Sequence, residues 1–373
     1  MKRIKIRLKE RSYEIVTGLG AFSQLPKVLA GISESSPAVV ITDRNVMAGS
    51  GALLSDVLKK VKNPLVKIVL APGERSKSLG VFESTIKKMV TATRSHRPIV
   101  VAVGGGVVGD LAGFVASAYR RGVPFVQVPT TLLAQVDSSV GGKVGVDLSE
   151  AKNIIGSFYQ PSAVLADTRF LGSLAPRQVR NGLAEVIKYA VIKSSEMFGY
   201  LEKNIEKAVS LDKKVMDNIV GRCVSIKGEV VEKDELDRKD VRIILNFGHT
   251  LGHAVETASG YSDLYNHGES ISLGMLMAGE ISAELGLFDR RHLERLERLL
   301  SAAGLPVLLK KISVKKVMDA CRYDKKFISG VNRFVVPVSI GRVRVIESVP
   351  LGIIQKAVKR FTAMGTSRKG KRR

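Results

Sequence analysis

The chain has 373 residues, 45% hydrophobic and 25% charged, and carries a net charge of +24 from 59 Lys plus Arg against 35 Asp plus Glu. That length favours two domains sharing a cleft over a single core, and the composition is that of a globular protein. No apolar run reaches the about 20 residues a membrane span needs, the start MKRIKIRLKERSYEI lacks a signal-peptide core, and the two cysteines, Cys223 and Cys321, lack ligand spacing, so a cytoplasmic protein without disulfides or a thiolate zinc knot is expected.

In the first half, short apolar runs alternate with amphipathic stretches. Residues 37–42 (PAVVIT) read as a strand ending at Asp43, and 65–70 (LVKIVL) as a second ending at Ala71-Pro72-Gly73-Glu74. A third, 98–103 (PIVVAV), runs directly into glycines, and a fourth, 123–128 (VPFVQV), ends at Pro129-Thr130-Thr131. Strands of this kind separated by helical periodicity predict an α/β fold with a Rossmann-like parallel sheet. The polar residues cluster just past the strand ends, where such sheets bind ligands. From about Ala175 the texture becomes helical: 178–209, 212–235, 247–258, 269–286 and 290–303 space apolar residues by three and four. Two β-type runs follow, 333–338 and 342–346. The expected division is an α/β domain over 1–174, a mostly helical domain over 175–358, and a basic tail over 359–373. That tail holds seven Lys or Arg and no acid, and disorder is expected of it.

The surplus of cations fits either a nucleic-acid partner or an anionic small substrate. Aromatic residues make up only 5% and Trp is absent, which leaves few platforms for stacking bases. The charge therefore points to anions in general, and nucleic acid is not expected as a partner.

Gly104-Gly105-Gly106-Val107-Val108-Gly109-Asp110 has the G-x-G-x-x-G spacing between a strand and a helix. Glycines there let backbone N–H groups approach a pyrophosphate at a helix N-terminus. The acid that could hold a ribose, Asp43, precedes the glycines instead of following them, so the order is not the usual dinucleotide fingerprint. Asp43 could equally cap a helix. Three of five histidines, His249, His253 and His267, fall within nineteen residues. The four-residue step in GHTLGHAVE puts the first two on one helix face. Histidines with a carboxylate make a catalytic metal set, and Glu185, in the apolar frame GLAEVIKYAVI, is the best carboxylate candidate. The alternative is that the histidines only cap or hydrogen-bond a core. Lys143, Lys152, Lys188 and Arg242 lie in apolar or glycine-rich text, where cations meet bound anions more often than on a solvated face.

Residues 104–161, GGGVVGDLAGFVASAYRRGVPFVQVPTTLLAQVDSSVGGKVGVDLSEAKNIIGSFYQP, resemble the 3-dehydroquinate synthases, sugar phosphate cyclases. So do GLAEVIKYAVI (182–192), LNFGHTLGHAVE (245–256), YNHGE (265–269) and YDKKF (323–327). The resemblance runs from about Ile4 to about Pro350. It implies NAD contacts at Asp43, Gly73, Glu74, Arg75, Ser76, Lys77, Gly105, Gly106, Val107, Val108, Gly109, Asp110, Thr130 and Thr131. Lys143 and Lys152 would lie near the nicotinamide, and Phe170, Leu171, Gly172 and Ser173 would complete the pocket. It implies a divalent metal, zinc or cobalt, on Glu185, His249 and His267, which makes His253 a substrate ligand, contrary to helical spacing alone. Substrate carboxylate and phosphate would meet Lys152, Asn153, Lys227, Arg242, Asn246, His253 and Lys326, with Asp137 and Lys188 completing the site. Gln178 departs from an expected glutamate beside the cofactor pocket. The implied reaction converts a seven-carbon keto-sugar acid phosphate to 3-dehydroquinate and phosphate, in the shikimate route to aromatic amino acids. It proceeds through transient oxidation by NAD, loss of phosphate, re-reduction and aldol closure. A sister cyclase acting on a non-acid sugar phosphate is the alternative. The resemblance also implies a homodimer in which Arg121 reaches the partner's site.

Overall fold

The computed structural model describes residues 1–94, 96–148, 151–260, 264–323 and 332–363. Chain contacts divide it into two compact units, one of residues 1–186 with 206–242 and the other of 187–205 with 243–373.

The first unit is built on strands β1 (Lys2–Ile6), β2 (Tyr13–Thr17), β3 (Ala38–Asp43), β4 (Leu65–Leu70), β5 (Ile99–Gly104), β6 (Phe125–Pro129) and β9 (Ala163–Ala166). They form one sheet in the order β1-β2-β9-β6-β5-β3-β4, parallel except for the antiparallel β1–β2 pair. The central strands β3, β5 and β6 are apolar on both faces because both are covered. On one side pack Leu25 and Leu29 of α1 (Leu25–Ile32) and Leu54 and Leu58 of α2 (Arg44–Leu58). On the other pack Met89 of α3 (Leu79–Thr93) and Leu111 and Val115 of α4 (Gly106–Ala118). Strands β7 (Lys143–Val146) and β8 (Ile155–Phe158) form a separate antiparallel hairpin. Helix α7 (Lys213–Lys233), which the periodicity groups with the helical half, packs against β1 and belongs to this unit.

Helix α5 (Pro176–Lys193) begins in the first unit and ends in the second, which also takes most of α6 (Ser195–Val209). The second unit continues with α8 (His249–Ala258), α9 (His267–Glu284), α10 (Arg290–Ala302), α11 (Val314–Tyr323), a β10–β11 hairpin (Arg333–Ser339, Arg342–Glu347) and α12 (Leu351–Arg360). Helices α8 and α9 cross at backbone contact: a Cβ on Gly274 would lie 1.9 Å from the Gly248 carbonyl oxygen. Gly248 itself has φ +78°, a left-handed conformation that favours glycine. No helix among the described residues is long and apolar enough to cross a membrane.

Candidate active site

The sheet order explains the displaced glycine fingerprint. From β3 the chain steps outward to β4, then returns to the other side of β3 as β5 and continues to β6. The reversal opens a crevice at the carboxyl ends of β3 and β5, where open α/β sheets bind ligands. Thr42 and Val103 are paired across it, so Asp43 and Gly104 end adjacent strands although 61 positions apart in sequence. The next strands outward end in the Gly73–Lys77 turn and at Thr130, whose N–H donates to the Gly104 carbonyl at 2.9 Å.

The glycines are required by close approach. A Cβ on Gly104 would meet Val108 at 2.5 Å, one on Gly109 the Gln127 amide oxygen at 2.8 Å, and one on Gly105 Thr131 at 3.1 Å. Helix α4 starts at Gly106, so its unpaired N–H groups face the crevice mouth, a suitable cradle for a pyrophosphate. Asp43 caps α2, accepting from the Val46 N–H at 2.9 Å through one carboxylate oxygen. Thr131 likewise accepts from the Ala134 N–H at 3.2 Å. Val108 is buried, whereas Val107 is half-buried in the first turn. Phe170 and Leu171 are core residues, Phe170 packing on Phe22 with ring centroids 5.4 Å apart, so only their backbone could meet a cofactor. Ser173 bonds the Phe170 carbonyl and the Ser50 hydroxyl. Gln178 is exposed in the first turn of α5.

Beyond the glycine loop lies a set of buried cations. Lys77 is 5% exposed and pairs with Asp110 at 2.6 Å; its ammonium also donates to the Asn153 side-chain oxygen. Burial pushes the Asp110 carboxyl up while Lys77 beside it pulls down; Glu74 is raised by burial too, and Lys77, whose ammonium burial disfavours, ends above its ordinary value through these carboxylates. Lys227, on α7, donates to the Asp137 carboxylate at 2.8 Å and to its carbonyl at 2.6 Å. Asp137 stands on a π-helical turn (Ala134–Ser138) that presents it there. Arg242 is 5% exposed, and its Nη1 donates to the Glu235 and Gly141 carbonyls at 3.0 and 3.4 Å. Its Nε is buried with no hydrogen-bond partner among the described residues. A buried guanidinium edge held this way suits an anion, above all a carboxylate. Lys143 instead pairs at 2.5 Å with Asp237 and is half-exposed, and Lys152 is exposed. Arg75 is exposed on the cofactor turn.

In the second unit the three histidines converge. Ring centroids lie 5.3 Å apart for His249 and His253, 5.4 Å for His249 and His267, and 6.3 Å for His253 and His267. His249 Nδ1 lies 3.1 Å from the Phe247 carbonyl and His267 Nδ1 3.2 Å from the Glu256 carboxylate. Both partners accept only, so each ring turns a protonated Nδ1 to its partner and leaves Nε2 for a metal, the arrangement of an oriented ligand. His267 opens α9 within a capping box of Asn266 and Glu269. Glu256 was not among the residues singled out in sequence; its place one turn after His253 on α8 was the available signal. Glu185, 1% exposed, and Lys188, 2% exposed, stand one turn apart on α5. The Lys188 ammonium lies 4.9 Å from the Tyr189 ring centroid. Asn246 ends the turn before α8. Arg121 is exposed, at φ +63°. Lys326 lies outside the described residues.

Comparison with known proteins identifies the family. Residues 67–181 match the 3-dehydroquinate synthase N-terminal family and residues 182–327 the C-terminal one. The 3-dehydroquinate synthase of Vibrio atlanticus is 42% identical over 96% of this chain and 98% of its own length. That of Acidithiobacillus ferrooxidans is 40% identical over 98% of this chain and 100% of its own length. Among solved structures, 2-deoxy-scyllo-inosose synthase with carbaglucose-6-phosphate, NAD+ and Co2+ superposes with a TM-score of 0.87 at 25% identity, covering 96% of this chain and 100% of that one. The 2-epi-5-epi-valiolone synthase of Streptomyces hygroscopicus with NAD+ and Zn2+ gives 0.86 at 27% identity, covering 95% and 98%. With family matches that together cover residues 67–327 and relatives of this identity over nearly the whole length, the chain belongs to the 3-dehydroquinate synthase family.

Proposed function

We infer that this chain catalyses the 3-dehydroquinate synthase reaction, converting 3-deoxy-D-arabino-heptulosonate 7-phosphate to 3-dehydroquinate and phosphate. The observation that carries the reading over a sister cyclase is Arg242, a buried guanidinium whose Nε lacks a partner among the described residues. A substrate without a carboxylate gives that edge nothing to bind.

The family relationship and the chemistry of the residues support NAD and one divalent metal. The crevice at β3 and β5, with glycines packed closely against Val108, Gln127 and Thr131, fits a dinucleotide. Glu185, His249 and His267 are two imidazoles oriented by Nδ1 bonds and a buried carboxylate, a donor set that fits zinc or cobalt. When bound, NAD supplies a transient hydride acceptor and the metal polarises the hydroxyl being oxidised.

The chain's own residues do the rest by placement. Arg242 takes the carboxylate. Lys152, Asn153, Lys227, Asn246, His253 and Lys326 are assigned to the substrate's remaining polar groups and phosphate, with Asp137 orienting Lys227 and Lys188 beside Glu185. None of these is a strong base, consistent with the departing phosphate itself accepting the proton. We further infer a homodimer in which Arg121 serves the partner's site, as expected for the commonest closed assembly, and a cytoplasmic location.

The test is to incubate the protein with NAD, zinc or cobalt and the keto-sugar acid phosphate, following phosphate and reduced nicotinamide together. Phosphate should appear with no net accumulation of reduced cofactor. Stoichiometric build-up would favour a dehydrogenase, and turnover only of non-acid sugar phosphates a sister cyclase.

A further inference from the structure

Asp147, the residue just past β7, has no role in the site as assigned so far, yet it joins two of that site's parts. Its backbone N–H donates to the Lys77 carbonyl at 2.8 Å, making a parallel bridge between Ser78 and Asp147. Its carboxylate accepts from the Asn153 N–H at 2.7 Å. Asn153 in turn accepts from the Lys77 ammonium through its side-chain oxygen. Three hydrogen bonds thus close a ring through Lys77, Asp147 and Asn153.

The ring matters because of what it holds. Lys77 ends the turn assigned to the cofactor, and Asn153 belongs to the pair assigned to the substrate. Asn153 is held at φ +54°, a left-handed conformation that needs local support, and its N–H is tied down by this carboxylate. Lys77 is also fixed from the far side by Asp110 at 2.6 Å. Turn and loop are therefore locked to one spacing through Asp147.

We infer that Asp147 is a positioning residue, which sets the Asn153 loop against the Lys77 turn and so fixes the bound sugar relative to the nicotinamide. This rests on the proposed reaction for its substrate and cofactor. Asp147 itself touches neither; its effect passes through Asn153 and Lys77.

Asp147→Ala removes the acceptor, whereas Asp147→Asn keeps an oxygen for the Asn153 N–H. In the holoenzyme, Asp147→Ala should raise the KM for the keto-sugar acid phosphate up to about 10-fold, the scale of one lost hydrogen bond to a carboxylate, and weaken NAD measured by calorimetry by a few-fold. Asp147→Asn should stay within about 2-fold of wild type on both. A merely structural residue would lower the melting temperature and the active fraction and leave the KM of surviving enzyme unchanged. If Asp147→Ala does not fold, Asp147→Ser, whose hydroxyl falls short of the Asn153 N–H, replaces it with the same expectation. An unchanged KM in the Ala or Ser variant, or an Asn variant as impaired as they are, overturns the inference. The NAD titration needs no turnover, so a wild type that releases no phosphate would defeat the functional reading separately.

Discussion

Gly141→Ala tests whether Arg242 reads the substrate carboxylate without altering Arg242 itself. Gly141 has φ +102°, and a Cβ there would lie 2.7 Å from Arg242 Nη2 and 3.0 Å from Val231. Two effects combine. The backbone strain costs about 1–3 kcal/mol, and the guanidinium must leave its position against the Gly141 and Glu235 carbonyls. Losing an Arg–carboxylate contact is worth about 1.5–3 kcal/mol, a rise of about 10- to 150-fold in the substrate KM. Gly20→Ala is the control: Gly20 has φ +87° with nothing within 4 Å of its added Cβ, so it carries strain without displacement. Both variants should melt earlier than wild type, Gly141→Ala by more because displacement of Arg242 adds to the strain. Only Gly141→Ala should raise KM in the phosphate-release assay, with NAD affinity by calorimetry unchanged. Equal KM values in the two variants would refute the assignment of Arg242.

Chelation should abolish turnover, and added zinc or cobalt should restore it; full activity in a metal-free preparation would remove Glu185, His249 and His267 from the mechanism. Tyr13, buried and accepting from the Gly141 N–H at 3.3 Å, has its hydroxyl pKa pushed up to about 12 by burial, partly offset by that bond. The folded value lies above the ordinary 10.0, so this contribution to stability is complete below pH 10 and is lost as pH rises through about 12. It amounts to at most about 3 kcal/mol, and alkaline unfolding curves of Tyr13→Phe should be shallower across that window. If the chain pairs as proposed, mixing inactive Arg121→Ala with inactive His249→Ala under subunit exchange should restore up to half the wild-type activity per heterodimer. No recovery despite exchange would place Arg121's action within its own chain.

Legibility of the fold followed burial. The central strands β3, β5 and β6 stand out in sequence because both faces are covered and the text is continuously apolar. Helices α7 to α10 are likewise visible from spacing. The N-terminal hairpin was missed: in KRIKI, lysines and arginine alternate with isoleucine at an exposed edge, and charge disguises the strand. Strands β7 and β8 were hidden because Gly145 and Gly156 pair directly, with a Cβ on either falling within 2.4 Å of the opposite backbone. At the site, the glycine loop was readable, but its partnership with Asp43 required the strand order. Helical spacing paired His249 with His253, whereas His267 comes from the following helix, which no periodicity could reveal. Phe170 and Leu171 show the limit of a resemblance, since residues that shape a pocket can do so entirely through their backbone.

The glycine crossing of α8 and α9 bears on how the second unit responds to an empty metal site. Helices that meet at Gly248 and Gly274 have no side chains to slide on, and α9 is buried continuously from Ser270 to Ser282. His249 and His267 are therefore set by rigid scaffolding and by their Nδ1 bonds, independently of any ion. Metal capture then requires little ordering, in contrast with a zinc finger, whose folding energy is the binding energy. Metal-free protein should keep its helices and most of its melting temperature, and exchange of zinc for cobalt should proceed without unfolding.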